Sequence, residues 1–216
     1  MLIGLFAVFA IILLTLGLFY GREQENRMTH EKEDELTATA TLKVGQIERW
    51  RSERIGDGVV IRANRSVARV AAQLFKGGAH SAGRQEIIDW MRELRAYYEY
   101  ESIYFLDTKG TIRLEIGAQD GRIGPVVERS LAEIRRTRQV VLTDLHMSTD
   151  SVRPHMDLIA PLLMPGSGDT DLVGFVLLTI NPATSLFPII ESWPTPSASI
   201  MAGGMPVPFR CSGALP

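Results

Sequence analysis

The chain has 216 residues, of which 45% are hydrophobic and 22% charged, and its formal net charge at pH 7 is -2. This composition is typical of a globular protein that buries a core of its own. The near-neutral charge gives no basic field, which argues against a nucleic-acid partner. The single cysteine, Cys211, excludes an intramolecular disulfide and a cysteine-ligated metal site.

The run from Leu2 to Tyr20 contains no charged side chain. A helix of this length, at about 1.5 Å per residue, spans a hydrocarbon core of about 30 Å, so the run predicts a transmembrane helix in contact with lipid. Two alternatives are open. A buried core helix is usually shorter or amphipathic, and a cleaved signal peptide usually ends in a small-residue cleavage site, which residues 21 to 24 lack.

A charged segment follows the apolar run, with nine charges of both signs between residues 22 and 35. This pattern favours a solvated helix. An apolar stripe then recurs at spacings of four and three: Leu36, Ala40, Val44, Ile47 and Trp50. We therefore predict a stalk helix over residues 22 to 56, whose seam forms a dimer contact or packs against its own domain.

Two further helices are predicted before the first strand. Gly56-Asp57-Gly58 is expected to interrupt the stalk helix, and a second helix then ends at Gly77-Gly78. A third helix is predicted from about Arg84 to Tyr98. The apolar face of the second helix holds Val60, Ala63, Val67, Val70, Ala71 and Leu74, and that of the third holds Ile87, Ile88, Met91 and Leu94.

The hydrophobic period then changes to that of strands. Ser102–Asp107 is a β-prone run, Asp107 to Gly110 is a turn, and Thr111 to Ile116 alternates, which together predict a hairpin. Pro125 opens a helix that buries Val127, Leu131 and Ile134. Three more strands are predicted over residues 139–146, 155–163 and 172–180, and a short helix over 183–192.

This order predicts an α+β fold, with a five-stranded, mostly antiparallel sheet and helices on one side. Residues 198 to 216 differ from the rest because they hold one charge, Arg210, and no periodicity. They predict a disordered tail or a slipped reading frame.

The layout resembles the extracytoplasmic PAS-like sensor domains, called Cache domains, of bacterial receptors. The resemblance covers about residues 22 to 197 and depends on the hairpin IYFLDTKGTIRLEIG, the strand pair VVLTDLH and HMDLIAPLL, and the closing strand VGFVLLTINP. It implies a PAS-like sensor body over residues 57–197 that binds a small ligand. In this family such domains precede histidine kinase, diguanylate cyclase or chemotaxis output modules.

The resemblance also implies that the body is periplasmic and anchored in the inner membrane. The basic residues after the apolar run, Arg22, Arg27 and Lys32, would by themselves place it in the cytoplasm. Two-module family members continue past a segment like SWPTPS into a second sub-domain, a second span and an output module. We therefore expect a receptor truncated after its first, membrane-distal module, or one with a mistranslated tail.

No catalytic signature is present. The sequence lacks a phosphate-cradling loop, HExxH, GxSxG and a dinucleotide fingerprint. We therefore expect a protein that is not an enzyme and that carries no cofactor.

One polar constellation lies at the facing ends of two consecutive predicted strands. If the strands pair symmetrically about their loop, the facing pairs are His146 with His155, Asp144 with Asp157, and Leu142 with Ile159, all on one sheet face. Three interpretations are open: solvated strand ends, a small-ligand pocket, and a divalent metal site. A one-residue slip in register would break the arrangement.

Three more residues are candidates for the same ligand. Arg113 and Arg153 could bind a carboxylate bidentately, and the Tyr104 hydroxyl could reach a ligand unless the ring only packs in the core. The full predicted ligand-binding set is His146, His155, Asp144, Asp157, Arg153, Tyr104 and Arg113. The predicted partners are a small molecule of carboxylate type and a second copy of the chain. The alternative is a dimerisation module that binds no ligand, or a receptor fragment that does not signal.

Overall fold

The computed structural model describes residues 2–77, 81–117, 123–147, 153–165 and 170–192. Its helices are α1 Leu2–Ala63, α2 Arg65–Phe75, α3 Ser81–Tyr98, α4 Pro125–Thr137, α5 Pro182–Ser185 and α6 Phe187–Glu191. Its strands are β1 Ser102–Asp107, β2 Ile112–Ile116, β3 Val141–Leu142, β4 Met156–Pro165 and β5 Thr170–Ile180. The tail predicted over residues 198 to 216 lies outside the described residues.

The chain divides into two compact units, and the unit Thr41–Glu191 contains the whole sheet. The other unit includes the helical residues up to Ala40. In the described part of the chain no helix is both long and apolar enough to cross a membrane, so the span predicted from residues 2 to 20 is not confirmed.

Helix α1 runs through Gly56-Asp57-Gly58 to Ala63, so the predicted interruption there is wrong. The reason lies in packing, since a Cβ added to Gly58 would lie 2.4 Å from Val140 Cγ1. Glycine at this position therefore allows the helix to approach the segment before β3 closely. The helix ends one turn later, where the Asn64 side chain accepts the Val67 backbone N–H and caps α2.

The sheet has the order β2-β1-β5-β4-β3, and each of its four strand pairs is antiparallel. The predicted five-stranded antiparallel sheet is therefore confirmed. Strand β1 has the predicted bounds, whereas β3 contains only two of the eight residues predicted for it. Beyond β3 the chain stays beside β4 through hydrogen bonds between Thr143 and Asp157, and an isolated bridge then joins His146 to His155.

Helices cover both faces of the sheet, so the expectation of helices on one side is wrong. On one face, α1, α2 and α3 bury residues such as Ile61, Ala68 and Met91 against Leu158 and Leu178. On the other face, α4 forms a smaller core, made of Val127, Leu131 and Ile134 against Leu106, Ile159, Phe175 and Leu177. The inward positions predicted for α4 are confirmed.

Toward the start of β1, Tyr104 packs at the edge of this α4 core, and polar side chains follow it on the same sheet face. Side chains two residues apart share a sheet face. Tyr104 and Ser102 therefore continue the line of Leu106 on β1, Thr179 continues Leu177 on β5, and Asp157 continues Ile159 on β4. This polar end of the α4 face holds the candidate site.

Candidate functional site

Asp157 is the central residue of the candidate site. It is 2% exposed on strand β4 and pairs with Thr179 of β5. Its Oδ1 accepts a hydrogen bond of 3.0 Å from the Thr179 hydroxyl. A buried carboxylate needs partners that offset its lost hydration, so the groups around the second oxygen decide what the site can do.

Two histidines face that second oxygen. The backbones of His146 and His155 exchange two hydrogen bonds of 2.9 Å, which confirms the predicted pairing of these residues. Their rings lie 4.4 Å apart. His146 Nε2 lies 3.3 Å and His155 Nε2 lies 3.8 Å from Asp157 Oδ2. Three groups from two separate chain segments therefore converge on one point.

The other nitrogen of each ring points to a backbone carbonyl. His146 Nδ1 lies 3.0 Å from the Asp144 carbonyl oxygen, and His155 Nδ1 lies 3.4 Å from the Arg153 carbonyl oxygen. A carbonyl only accepts, so each Nδ1 carries the proton in these contacts. This tautomer directs the Nε2 atom of both rings to Asp157.

The cluster alters the proton affinity of its neighbours. A hydrogen bond that the protonated His146 ring donates to Asp157 raises the pKa of His146, although burial of the ring opposes the shift and the Asp144 carbonyl adds to it. Burial raises the pKa of Tyr104, and the negative charge of Asp157 raises it further. Tyr104 is therefore a neutral donor at the edge of the cluster.

The register between β3 and β4 shifts by one residue next to the site. Leu142 pairs with Leu158, not with the predicted Ile159. Asp157 is held by Thr143, whose N–H donates to the Asp157 carbonyl and whose hydroxyl accepts the Asp157 N–H, both at 2.8 Å. The segment from Thr143 to His146 therefore contains one residue more than the facing segment from His155 to Asp157. This is the pattern of a β-bulge.

The bulge makes the predicted pairing of Asp144 with Asp157 wrong. Asp144 is exposed, and its described contact with the cluster is made by its backbone carbonyl. The predicted symmetric pairing assumed the same number of residues on both strands. One extra residue on one strand moves the side chains that follow it to the opposite face of the sheet. Of the three predicted facing pairs, the histidine pair is the one on the loop side of the bulge.

The two predicted arginines differ from the histidines in position. Arg113 binds Asp107 at the opposite end of β1, with Nε at 2.9 Å and Nη2 at 2.7 Å from Asp107 Oδ2. The structure therefore does not bring Arg113 to the cluster. Arg153 is exposed and meets His155 through its carbonyl.

The sequence interpretation missed Thr143 and Thr179, which hold the backbone and the carboxylate of Asp157. A signal for Thr179 was present, because it is the single polar side chain in the otherwise apolar run LVGFVLLTI. Such a polar position in a buried strand requires a partner.

Two surface concavities lie away from the cluster. One of about 590 Å³ lies along α3 and is lined by Trp90, Glu93, Leu94, Ala96, Tyr97 and Tyr98. The other, of about 380 Å³, lies between α3 and β2 and includes Arg113 among its lining residues. Neither is lined by His146, His155 or Asp157, so convergent chemistry and not volume distinguishes the cluster.

No protein-family model matches the sequence, and no curated protein matches it at a significant level. Solved structures do match the fold. The ligand-binding domain of the Campylobacter jejuni chemoreceptor Tlp3 in complex with 4-methylisoleucine has a TM-score of 0.52 and 11% identity, and the match covers 73% of this chain and 61% of that one. The ligand-binding domain of the Pseudomonas aeruginosa amino acid chemoreceptor PctC in complex with GABA has a TM-score of 0.51 and 16% identity, and the match covers 75% and 69%.

The chain thus has the fold of the sensory ligand-binding domains of chemoreceptors, which confirms the resemblance to extracytoplasmic Cache-type sensors at the level of fold. It spans 61% of the length of the Tlp3 sensory domain. These neighbours are sensory domains and not catalytic ones.

Proposed function

We propose that this chain is an extracytoplasmic sensor domain that binds a small ligand at the polar end of the α4 face. One observation carries the proposal: ligand atoms of Asp157, His146 and His155 lie within 4.8 Å of one another on a fold shared with chemoreceptor ligand-binding domains. Small-ligand sites combine an apolar wall with a few convergent polar groups. Here Ile159 and Leu177 supply the buried apolar wall.

The chemistry of the site favours a ligand with a hydrogen-bond donor or a positive group. Asp157 is an acceptor once ionised, and Tyr104 adds a neutral hydroxyl. Amino acids are the first probes, because the similar chemoreceptor domains are described with 4-methylisoleucine and GABA. Arg153 and Tyr104 are proposed to contact the ligand from the edge. A carboxylate ligand held by Arg113 would require the concavity between α3 and β2 instead.

Thermal unfolding of the metal-free domain with amino acids and organic acids tests the proposal. A ligand that binds the native state raises the melting temperature according to RT ln(1 + [L]/Kd). The Tyr104→Phe variant should reduce the shift, whereas Tyr97→Phe, at a ring that is 82% exposed, should not. If no compound shifts the melting temperature, or if the shift is unchanged in Tyr104→Phe and His155→Ala, the proposed site is wrong.

The transmission of the signal is proposed to depend on α1. A ligand that favours one arrangement of the domain could shift this helix in a dimer. The apolar stripe supports a homodimer in part, because Leu36 and Val44 are 58% and 55% exposed whereas Trp50 is 7% exposed. Light scattering of Leu36→Glu/Val44→Glu should show a monomer with unchanged unfolding, and a dimer that persists would exclude this seam.

The anchor and the location stay sequence predictions. The apolar run from Leu2 to Tyr20 would hold the sensor body at the inner membrane with its bulk in the periplasm. Fractionation of cells expressing the chain, followed by protease treatment of spheroplasts, tests both. A body that is protected from external protease would place it in the cytoplasm.

A further inference from the structure

We propose that His146, His155 and Asp157 bind a divalent transition-metal cation of the zinc class. This inference deepens the proposed function, because it rests on the same cluster being a ligand site. One ligand atom from each residue lies within 4.8 Å of the other two. Two imidazoles and one carboxylate form a ligand set that zinc accepts, usually with the fourth position open to water or a further ligand.

The separations of the ligand atoms fit such an ion. Bonds of about 2.0–2.1 Å at tetrahedral angles place neighbouring ligand atoms about 3.4 Å apart. His146 Nε2 and His155 Nε2 lie 3.3 Å and 3.8 Å from Asp157 Oδ2. All three ligand atoms lie within 4.8 Å of one another, so binding would require those more than about 3.4 Å apart to approach each other.

Each of the three side chains is oriented by another group. Both Nδ1 atoms face backbone carbonyls, of Asp144 and Arg153, and the Thr179 hydroxyl holds Asp157 Oδ1. Histidines that bind a metal usually donate their other N–H to a carbonyl or carboxylate, which fixes the tautomer. The arrangement around this cluster has that form.

The electrostatics of the cluster also favour a cation. With Nδ1 protonated, each neutral imidazole directs an Nε2 lone pair at Asp157 Oδ2, so three electron-rich atoms face one another. A single proton satisfies the pair of His146 and Asp157 at 3.3 Å. It leaves His155 Nε2 at 3.8 Å, which is beyond hydrogen-bond distance. A cation contacts all three atoms at once.

The test is equilibrium binding of Zn²⁺ to the untagged, chelator-treated protein. We expect one Zn²⁺ per chain and a rise in melting temperature that Mg²⁺ and Ca²⁺ do not produce, because those ions prefer oxygen ligands. Replacement by Co²⁺ should give visible absorption from a site with nitrogen ligands. His146→Ala and His155→Ala should each weaken Zn²⁺ binding at least tenfold, as should Asp157→Asn.

His30→Ala is the matched control, since it removes a histidine other than the two proposed ligands. His155→Gln removes the imidazole with less loss of volume, and circular dichroism verifies that each variant is folded. Zn²⁺ binding that persists unchanged in His146→Gln/His155→Gln overturns the inference, as does a wild-type protein that binds no Zn²⁺. An amino acid that still stabilises the chelator-treated protein would then support the proposed sensor while excluding the metal. Failure of both probes would reject both proposals.

Discussion

Two buried aspartates at opposite ends of the sheet differ in how their charges are satisfied. Asp107 is 7% exposed at the end of β1, and Asp157 is 2% exposed near the start of β4. Asp107 Oδ1 accepts the N–H groups of Lys109 and Thr111 at 2.9 and 3.0 Å, and its Oδ2 binds the Arg113 guanidinium. Asp157 instead has one hydroxyl donor and two imidazoles at 3.3 and 3.8 Å.

The comparison separates a structural carboxylate from one that can respond to a ligand. The hydrogen-bond donors to the Asp107 carboxylate all lie within six residues of it, so the hairpin itself supplies the groups that stabilise this charge. The partners of Asp157 come from β5 and from both sides of the loop between β3 and β4. A ligand or ion can replace loosely held partners of this kind at little cost, which is why we propose the site at Asp157.

The largest expected effect is the loss of stability in Asp107→Ala. This change leaves the Lys109 and Thr111 N–H groups without their acceptor and removes the Arg113 ion pair. We expect a loss of about 3 kcal/mol in the free energy of unfolding, or roughly 6–12 °C in melting temperature. Urea unfolding and thermal unfolding measure it. If Asp107→Ala loses less free energy of unfolding than Asp157→Ala, then Asp107 is not the more structural of the two carboxylates.

The hairpin shows what the sequence predicts well. The bounds of β1 and the inward face of α4 follow from local periodicity, because period 2 and period 3.6 each need only a few residues to be recognised. The ion pair of Arg113 with Asp107 was missed although both residues lie in the same hairpin. No sequence pattern indicates that a carboxylate in a turn pairs with an arginine on the following strand.

The interactions that the sequence could not predict are non-local. Gly58 looked like a helix breaker, but it allows close packing on Val140, 82 positions away. The facing histidines could be predicted from the loop, whereas the bulge at Thr143 could not, because it depends on the hydrogen bonds between Thr143 and Asp157. The facing of His146 and His155 was therefore predicted correctly, whereas the predicted facing of Asp144 and Asp157 was wrong.

A smaller effect is expected for Asp157→Ala in metal-free buffer. The Thr179 hydroxyl loses its acceptor, but the two imidazoles are relieved of a weakly paired charge. We expect a loss of about 1 kcal/mol, or roughly 2–4 °C in melting temperature. Thermal unfolding without Zn²⁺ measures the loss of stability in the variant. The same measurement with Zn²⁺ shows whether the metal still raises the melting temperature. A loss as large as that of Asp107→Ala would make Asp157 a structural residue.

Acidification should test the contribution of Asp107 to stability without a substitution in the cluster. Burial alone would raise the pKa of Asp107, but the Thr111 and Lys109 N–H groups and the Arg113 side chain lower it below the ordinary value of 3.8. The unfolded state therefore binds the proton first, and the stability contributed by Asp107 is present above about pH 4 and lost as the pH falls through its native pKa. Urea unfolding of wild type and Asp107→Asn between pH 6 and pH 3 should show their difference shrinking. A constant difference would contradict this.

The smallest effect is expected at Asp144, where the symmetric strand pairing and the observed bulge give opposite predictions. In the structure the Asp144 side chain is exposed, and the group that orients His146 is the Asp144 carbonyl, which alanine retains. Asp144→Ala should therefore change the free energy of unfolding by no more than about 0.5 kcal/mol and leave Zn²⁺ binding unaltered. Asp157→Asn is the matched comparison, because both variants remove one negative charge from the same end of the sheet. If Asp144→Ala weakens Zn²⁺ binding as much as Asp157→Asn does, the two carboxylates face each other in solution, and the register without a bulge is the one that binds.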